Sequence, residues 1–222
     1  MKQIFSLFLL ALSLSACTNL NKFNRFVNQK YSANQLTSFD YKTDLVNVSS
    51  AEIVKQDSLC RTERIKAIFI PALFYWYWNN TIKCTIDPKF YAQRLEYDLK
   101  IAAETSNIRE KLNGNKINIS IKSFPSSFIY MNKGHLLFAL LSYAMIYKEG
   151  IAPLSQNMIL DFEILKNDTV VRKNTIEIPN NNVFIKNSWN SRKKLTWQYL
   201  DDYENNLKKQ SSEAILKISN DL

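Results

Sequence analysis

The sequence predicts an α+β fold, a two-layer sandwich in which a mostly antiparallel sheet is covered by helices. Isoleucines alternate with polar residues over positions 117–122, as in a half-buried strand. Two apolar segments, 159–165 and 170–178, flank a short polar stretch that favours a turn, which is typical of an antiparallel hairpin. Residues 191–222 contain neither Gly nor Pro and repeat apolar residues at helical spacing, so we expect a long C-terminal helix.

The middle of the chain predicts one further helix and leaves one segment open. Asp87 and Pro88 suit the cap and the first turn of a helix, and Asn113 with Gly114 suits its end. Residues 135–147 are apolar on all sides. Both a buried helix and a pair of strands fit that segment, because periodicity alone does not separate them.

An aromatic stretch, PALFYWYWNN at residues 71–80, lies in an apolar run from 67 to 78. Such a run favours a strand that is buried on both faces. Pro71 interrupts it, and because proline donates no ladder hydrogen bond, this position is either on a sheet edge or at a bend.

The five aromatic residues of this stretch divide between two faces if the backbone is extended. Phe74, Trp76 and Trp78 would point one way, and we expect them in the core. Tyr75 and Tyr77 would point the other way to a partly open surface, and we predict that they bind a partner, since Tyr is favoured at interfaces. Core packing of all five is the alternative.

The N-terminus predicts export. Lys2 precedes an apolar stretch over residues 4–14. That stretch is shorter than the roughly 20 helical residues needed to span a bilayer, and it fits the apolar region of a secretory signal peptide.

The residues that follow are more specific, since Leu14, Ser15, Ala16 and Cys17 form a sequence that resembles the lipobox of bacterial lipoproteins. The resemblance implies cleavage before Cys17, attachment of diacylglycerol to its thiol and acylation of its amino group, for example by palmitate. Thr18 is not Asp, which by resemblance implies an outer-membrane lipoprotein of a Gram-negative bacterium. Its domain would face the periplasm, with exposure on the cell surface as an alternative. An ordinary cut after Ser15 also remains open.

The predicted organisation has three parts. Residues 1–16 are a lipoprotein signal peptide, residues 17–38 are the lipidated cysteine and a tether, and residues 39–222 are one globular domain. The tether is polar and rich in Asn, which favours a disordered spacer. A short helix lying on the membrane is the alternative, because Phe23 and Val27 fall on one helical face.

Two cysteines remain once Cys17 is lipidated. In an oxidising compartment, Cys60 and Cys84 are expected to form a disulfide that closes a loop of about 24 residues. Two free buried thiols are the alternative.

Catalytic signatures are weak. His135 is the chain's one histidine, and no GxSxG motif accompanies it. Asp161 and Glu163 would share one face of a strand, where two carboxylates could serve glycoside hydrolysis. A solvated sheet face is the alternative explanation. The three scattered glycines exclude a Gly-rich phosphate loop, and we expect no metal or cofactor.

The net charge of +9 suggests contact with anionic surfaces. Between positions 166 and 194 the chain carries seven basic residues against two acidic ones. We predict binding of an anionic lipid or an acidic envelope protein there, since export disfavours nucleic acid; a solvated basic loop is the alternative. The seven residues are Lys166, Arg172, Lys173, Lys186, Arg192, Lys193 and Lys194.

These observations favour a membrane-anchored, non-catalytic accessory lipoprotein of the cell envelope that binds a protein or lipid partner. The alternative is a periplasmic hydrolase acting on envelope glycan or lipid through Asp161, Glu163 or His135. A carrier that encloses a lipid in an aromatic pocket is a variant of the first hypothesis.

Overall fold

The computed structural model describes residues 20–31, 45–50, 60–86, 88–139 and 142–222. The predicted signal peptide, Cys17 and the second half of the predicted tether lie outside these residues. The helices are α1 (Leu20–Tyr31), α2 (Pro88–Thr105), α3 (Ile108–Leu112) and α4 (Arg192–Asp221). The strands are β1 (Val46–Ser50), β2 (Cys60–Ile70), β3 (Tyr75–Thr85), β4 (Lys116–Ser123), β5 (Ser127–Ala139), β6 (Ser142–Pro153), β7 (Met158–Lys166), β8 (Thr169–Ile178) and β9 (Ile185–Lys186).

These strands form two sheets, where the sequence had suggested one. The first has the order β1-β4-β7-β8, and the second has the order β2-β3-β5-β6-β9. Only the β1–β4 pair is parallel; every other pair is antiparallel. The predicted α+β class and the mostly antiparallel pairing are therefore confirmed.

The first sheet follows the periodicity of the sequence. Ile117, Ile119 and Ile121 of β4 are buried, as their alternation with polar residues predicts. The β7–β8 hairpin is also confirmed. Asn167 and Asp168 form its turn with φ of 52° and 59°, values that Asn and Asp tolerate better than most residues.

The predicted long C-terminal helix is confirmed as α4, and Asp87, the predicted cap of the earlier helix, lies outside the described residues. Ser191 caps α4 by accepting a hydrogen bond from the backbone N–H of Lys194 at 3.2 Å. The helix predicted after Pro88 is broken into α2 and α3, and α3 ends at Asn113, whose φ is 46°. Among the described residues, no helix combines the length and the apolar character that crossing a membrane requires.

Helix α1 corrects the prediction of a disordered spacer for residues 20–31. Phe23 and Val27 are buried in the core, so this face packs on protein and not on a membrane. The indole Nε1 of Trp197 donates to the backbone oxygen of Phe26 at 3.0 Å. Phe23 also lies 4.5 Å from Tyr130, measured between ring centroids. The helical spacing was visible in the sequence, but the partner surface comes from residues far away in the chain.

The aromatic run at 67–78 is not one strand but a hairpin. β2 ends at Ile70, the chain turns through a short 3₁₀ helix at Pro71–Leu73, and Phe74 has a φ of 42° before β3 begins. Pro71 therefore marks a bend, the second of the two alternatives. The segment 135–147 likewise adopts the two-strand alternative, as the ends of β5 and β6.

The disulfide between Cys60 and Cys84 is present. The two residues face each other across the β2–β3 pair, and both are buried. The bond joins the hairpin at the end opposite its turn, where the sheet enters the core.

We predict that replacing both cysteines, Cys60→Ala with Cys84→Ala, lowers the free energy of unfolding by about 3 kcal/mol. The reason is that a loop of about 24 residues is no longer constrained in the unfolded chain. Chemical denaturation of the two proteins, followed by circular dichroism, measures the difference. Full labelling of both thiols in the unreduced parent protein would contradict the prediction.

Candidate functional site

Two hairpins, β2–β3 and β5–β6, extend side by side from the body of the protein. Tyr75 pairs with Leu137, and the backbone N–H of Phe138 donates to the oxygen of Phe74 at 3.2 Å, so the turn of the first hairpin lies beside the outer ends of β5 and β6. We call the outer part of these hairpins, residues 67–78, 134–139 and 142–147, the arm.

The arm contains no Asp, Glu, Lys or Arg, and His135 is its one titratable side chain besides tyrosines. Much of it is exposed. Soluble monomers rarely expose apolar patches larger than a few hundred Å², and such patches mark binding surfaces. The exposed large apolar residues of the arm are Ile68, Phe69, Ile70, Leu73, Phe74, Leu137, Phe138, Tyr143, Met145, Ile146 and Tyr147.

Both faces of the arm are open. Ile68 and Ile146 belong to one row across the four strands and therefore to one face; their exposed fractions are 39% and 62%. Phe69 and Met145 belong to the next row and the opposite face, with 43% and 54% exposed. A sheet that covered a core with one face would not show this, so the arm is not part of the core.

The aromatic residues are placed differently from the prediction. Phe74 is 53% exposed in the turn, and Trp76 and Trp78 are half-buried, so the prediction that all three are core residues is wrong. Their shielding comes from neighbouring strands and not from a packed layer. Tyr75 and Tyr77 are half-buried on the opposite face, and their predicted role in partner binding stays a prediction.

The two tryptophans lie against each other and against the sheet. Their ring centroids are 5.1 Å apart, and Trp78 Nε1 donates to Asn132 Oδ1 at 2.8 Å. A Cβ atom at Gly134 would lie 2.6 Å from Trp78 Cζ2 and 2.4 Å from the backbone oxygen of Ile146. Gly134 is therefore required for the indole to lie flat across the neighbouring strand.

A row of lysines borders the arm. Lys66, Lys133 and Lys148 occupy one row of the sheet, interrupted by Asn79, and all three lysines are exposed. Lys186 lies close by in β9, where it pairs with Gly150. We call these four lysines the collar. Beyond the collar, no charged side chain follows on the described strands up to the turns.

A carboxylate lies just inside the collar. Glu149 is buried and accepts hydrogen bonds from the hydroxyls of Tyr130 and Tyr147 and, at 2.6 Å, from Asn187 Nδ2. Its Oε1 also lies 3.4 Å from Arg192 Nε. This cluster connects β5, β6 and the start of α4.

The titration of Glu149 reflects two opposed effects. Burial alone would raise the pKa of this carboxyl group, but the hydrogen bonds from Tyr130, Tyr147 and Asn187, with the charge of Arg192, hold the pKa below its ordinary value. Burial, followed by the hydrogen bond to the carboxylate, raises the pKa of Tyr130, so this phenol stays protonated and donates.

The seven basic residues predicted as a binding segment do not come together. Three belong to the first sheet, where Arg172 donates to the backbone oxygen of Asp221 and Lys173 Nζ lies 2.7 Å from Glu163 Oε1. The others lie near the base of the arm, in β9 and the first turn of α4. The first group is Lys166, Arg172 and Lys173, and the second is Lys186, Arg192, Lys193 and Lys194.

The candidate catalytic residues are also separated. Asp161 and Glu163 lie in β7 of the first sheet, whereas His135 lies in the arm, in the second sheet. Asp161 accepts from Thr175 Oγ1 at 2.7 Å and lies 3.3 Å from Lys122 Nζ; the Thr175 hydrogen bond, then Lys122, lowers its pKa. Among the residues the structure describes, no group of His, Cys, Asp or Glu side chains is arranged to hold a metal ion.

The arm and the Glu149 cluster were missed by sequence reasoning. A signal for the arm existed, because each charge-free stretch is bordered by lysine: Lys66 before the first, and Lys133 and Lys148 around the second. No local signal marks Glu149, because its partners come from three separate segments.

We predict that Glu149→Gln lowers the free energy of unfolding by about 1–3 kcal/mol at pH 7, since a charged acceptor is lost and Arg192 loses its ion pair. The pKa of Glu149 is lower in the folded than in the unfolded chain. The contribution of Glu149 to the free energy of unfolding is therefore fully present above its pKa in the unfolded chain. That contribution is lost as the pH falls through its pKa in the folded chain. Urea unfolding between pH 3 and 7 should show that the difference in the free energy of unfolding between parent and variant shrinks on acidification. A difference that stays constant with pH would contradict the prediction.

No protein-family model, no curated protein and no solved structure matches this chain.

Proposed function

We propose that this protein is a membrane-anchored, non-catalytic accessory lipoprotein of the cell envelope that contacts lipid through its arm. The observation that carries the proposal is the arm itself, which is apolar and open on both faces and is bordered by the collar of lysines. Water is a poor solvent for such a surface, at about 25 cal/mol for each Å² of apolar area.

The length of the arm suits a lipid leaflet. From Lys133 to Ala139 the strand advances by about 20 Å, at about 3.3 Å per residue. Half of a bilayer's hydrocarbon core measures about 15 Å. The arm is therefore long enough to reach the apolar part of the leaflet while the collar stays at its surface.

The chemistry along the arm agrees with that placement. Tryptophan and tyrosine side chains favour the boundary between headgroups and acyl chains. The arm carries Trp76 and Trp78 on one face and Tyr75 and Tyr77 on the other. Lysines near an anionic surface contribute about 1 kcal/mol each, and Lys66, Lys133 and Lys148 would meet phosphate groups together.

The first residue of helix α1 that the structure describes, Leu20, lies three residues after the proposed anchor. Helix α1 runs parallel to α4, since Phe26 contacts Trp197 and Lys30 pairs with Asp201 one turn further along both helices. The N-terminal end of α1 therefore lies near the start of α4, which contacts the Glu149 cluster at the base of the arm. Cys17 is three residues before α1, a reach of about 10 Å.

Lipid on Cys17 and lipid around the arm are thus compatible with one membrane. By the residue at position 18 we propose the outer membrane of a Gram-negative bacterium, with the body of the protein facing the periplasm. We also propose that the helices form one layer over the sheets, the arrangement expected for a two-layer sandwich. Supporting contacts join α2 to β1 and α4 to β8 and β6.

No observation favours the hydrolase alternative. Asp161 and Glu163 each pair with a lysine, Lys122 and Lys173, across neighbouring strands. Such cross-strand pairs are a common way for a solvated sheet face to balance its charges.

We predict that Cys17→Ser abolishes lipid attachment, so that the protein keeps its signal peptide or is released from the membrane. The physical reason is that acyl chains supply the stable part of membrane binding, about 0.8 kcal/mol for each buried methylene. Mass spectrometry of the protein and fractionation of cells measure this. A Cys17→Ser protein with a cleaved signal peptide that remains tightly bound to membranes would show that the anchor lies elsewhere.

The arm is tested separately by tryptophan fluorescence. The mature lipidated protein, reconstituted in vesicles of equal parts phosphatidylglycerol and phosphatidylcholine with brominated acyl chains, should be quenched relative to unbrominated vesicles. Bromine quenches indoles only at short range, so the quenching should disappear in the double variant Trp76→Phe with Trp78→Phe. The matched control is Trp189→Phe, which removes a fully exposed indole outside the arm and should leave the quenching intact. Quenching that survives the double variant would contradict lipid contact by the arm.

A further inference from the structure

We propose that the arms of neighbouring copies of this protein pair edge to edge, β6 of one copy against β2 of the next. The inference rests on the proposed function, since it concerns the arm of a membrane-bound copy, and it names a second copy of this chain as the protein partner.

Both edges of the arm lack a neighbouring strand among the described residues. β2 ends the sheet on one side. On the other side β9 pairs with Gly150 and Ile151, and no described strand pairs with the outer edge of β6 over residues 143–148. An uncovered edge strand presents a row of backbone N–H and C=O groups that are available to another strand.

Over residues 67–70 of β2 and 143–147 of β6, beyond the bordering Lys66 and Lys148, these edges carry none of the devices that keep natural sheets apart. Such devices are charged side chains, prolines or bulges on the edge strand. Within the arm, β2 has the sequence AIFI at residues 67–70 and β6 has YAMIY at residues 143–147. The bulge in β2 lies between Thr62 and Arg64, outside the arm. Over these residues each edge is therefore an apolar strand that favours pairing.

Lipid alone does not satisfy such edges. Acyl chains contact the side chains on the two faces, but they accept and donate no hydrogen bonds. An unsatisfied backbone group costs several kcal/mol in hydrocarbon, and open sheet edges do not occur there. An arm in contact with lipid thus needs a strand beside each of its edges.

The second copy of this chain supplies that strand with matching direction. Each neighbouring pair from β2 through β3 and β5 to β6 is antiparallel, so β2 and β6 run in opposite directions. β6 of one copy beside β2 of the next continues the same alternation. An offset of two residues keeps each side chain on its own face and separates Lys66 from the next copy's Lys148.

This contact joins two different edges, so each added copy leaves one β2 edge and one β6 edge free. Such a head-to-tail interface produces assemblies larger than a dimer, which end only when the last copy meets the first. A contact between two identical edges would instead stop at two copies. The two cases are therefore distinguishable by size.

The test uses the lipidated protein extracted in mild detergent, with sizes measured by sedimentation velocity and native mass spectrometry. Ile68→Lys places a charge on the β2 edge and Ile146→Lys places one on the β6 edge, both at exposed positions in one row. His135→Lys is the matched control, because it adds the same charge to the same row and face on an inner strand.

We expect the parent and His135→Lys proteins to form assemblies of more than two copies, and each edge variant alone to remain a single copy. Mixing Ile68→Lys with Ile146→Lys should give dimers and nothing larger, because one intact β6 edge meets one intact β2 edge. Melting temperatures near that of the parent will show that each variant is folded.

Four results would overturn the inference: a single-copy parent, an edge variant that still forms dimers or larger species by itself, a mixture that stays single, or a His135→Lys protein that loses assembly. The proposed function fails by a different observation. A parent that floats with the vesicles and is quenched by brominated lipid, yet remains a single copy, leaves the proposed function intact and removes only the pairing of arms.

Discussion

The hydrogen-bonded, buried carboxylate of Glu149 is the interaction on which the arrangement of the arm and its base depends. It accepts hydrogen bonds from Tyr130 in β5 and Tyr147 in β6, and it lies beside Arg192 at the start of α4. Phe23 of α1 packs on the ring of Tyr130. The contacts of Glu149 and Tyr130 thereby fix the base of the arm relative to helices α1 and α4. A buried charge is tolerated only with this many partners, because desolvation would otherwise exceed the gain.

The arm can extend from the body because its strands are unusually long and only half of each is used in the core. β3 and β5 contain 11 and 13 residues, about twice the length that is common in globular proteins. Their inner halves supply Ile82 and Tyr130 to the core, and the disulfide fixes the same end of the β2–β3 pair. The outer halves keep their geometry through the ladder hydrogen bonds and through side-chain contacts between strands. For example, the ring centroids of Trp78 and Tyr147 are 6.3 Å apart.

The sequence was sufficient to predict the elements that have one face on the core and the other in water. The alternation in β4, the turn at Asn167 and Asp168 and the apolar spacing of α4 each express a local rule, and each is found in the structure. The arm was not predictable in the same way, because a strand buried in a core and an exposed apolar strand share one sequence pattern. The packing of Phe23 in α1 and the partners of Glu149 depend on contacts between segments far apart in sequence, which periodicity does not report.

The distribution of charge along the second sheet orders these features into one gradient. Glu149 is buried at the base of the arm. Three exposed lysines of the collar, Lys66, Lys133 and Lys148, follow, and beyond them the described strands carry no charged side chain. Water is a poor solvent for the apolar side chains on the two faces of the arm. Hydrocarbon, in turn, forms no hydrogen bonds with the backbone groups along its two edges. Neither solvent satisfies faces and edges together. If the arm contacts lipid as proposed, it is stable in full only where lipid contacts its faces and another strand covers each edge, and its working state would be a property of several chains in a membrane.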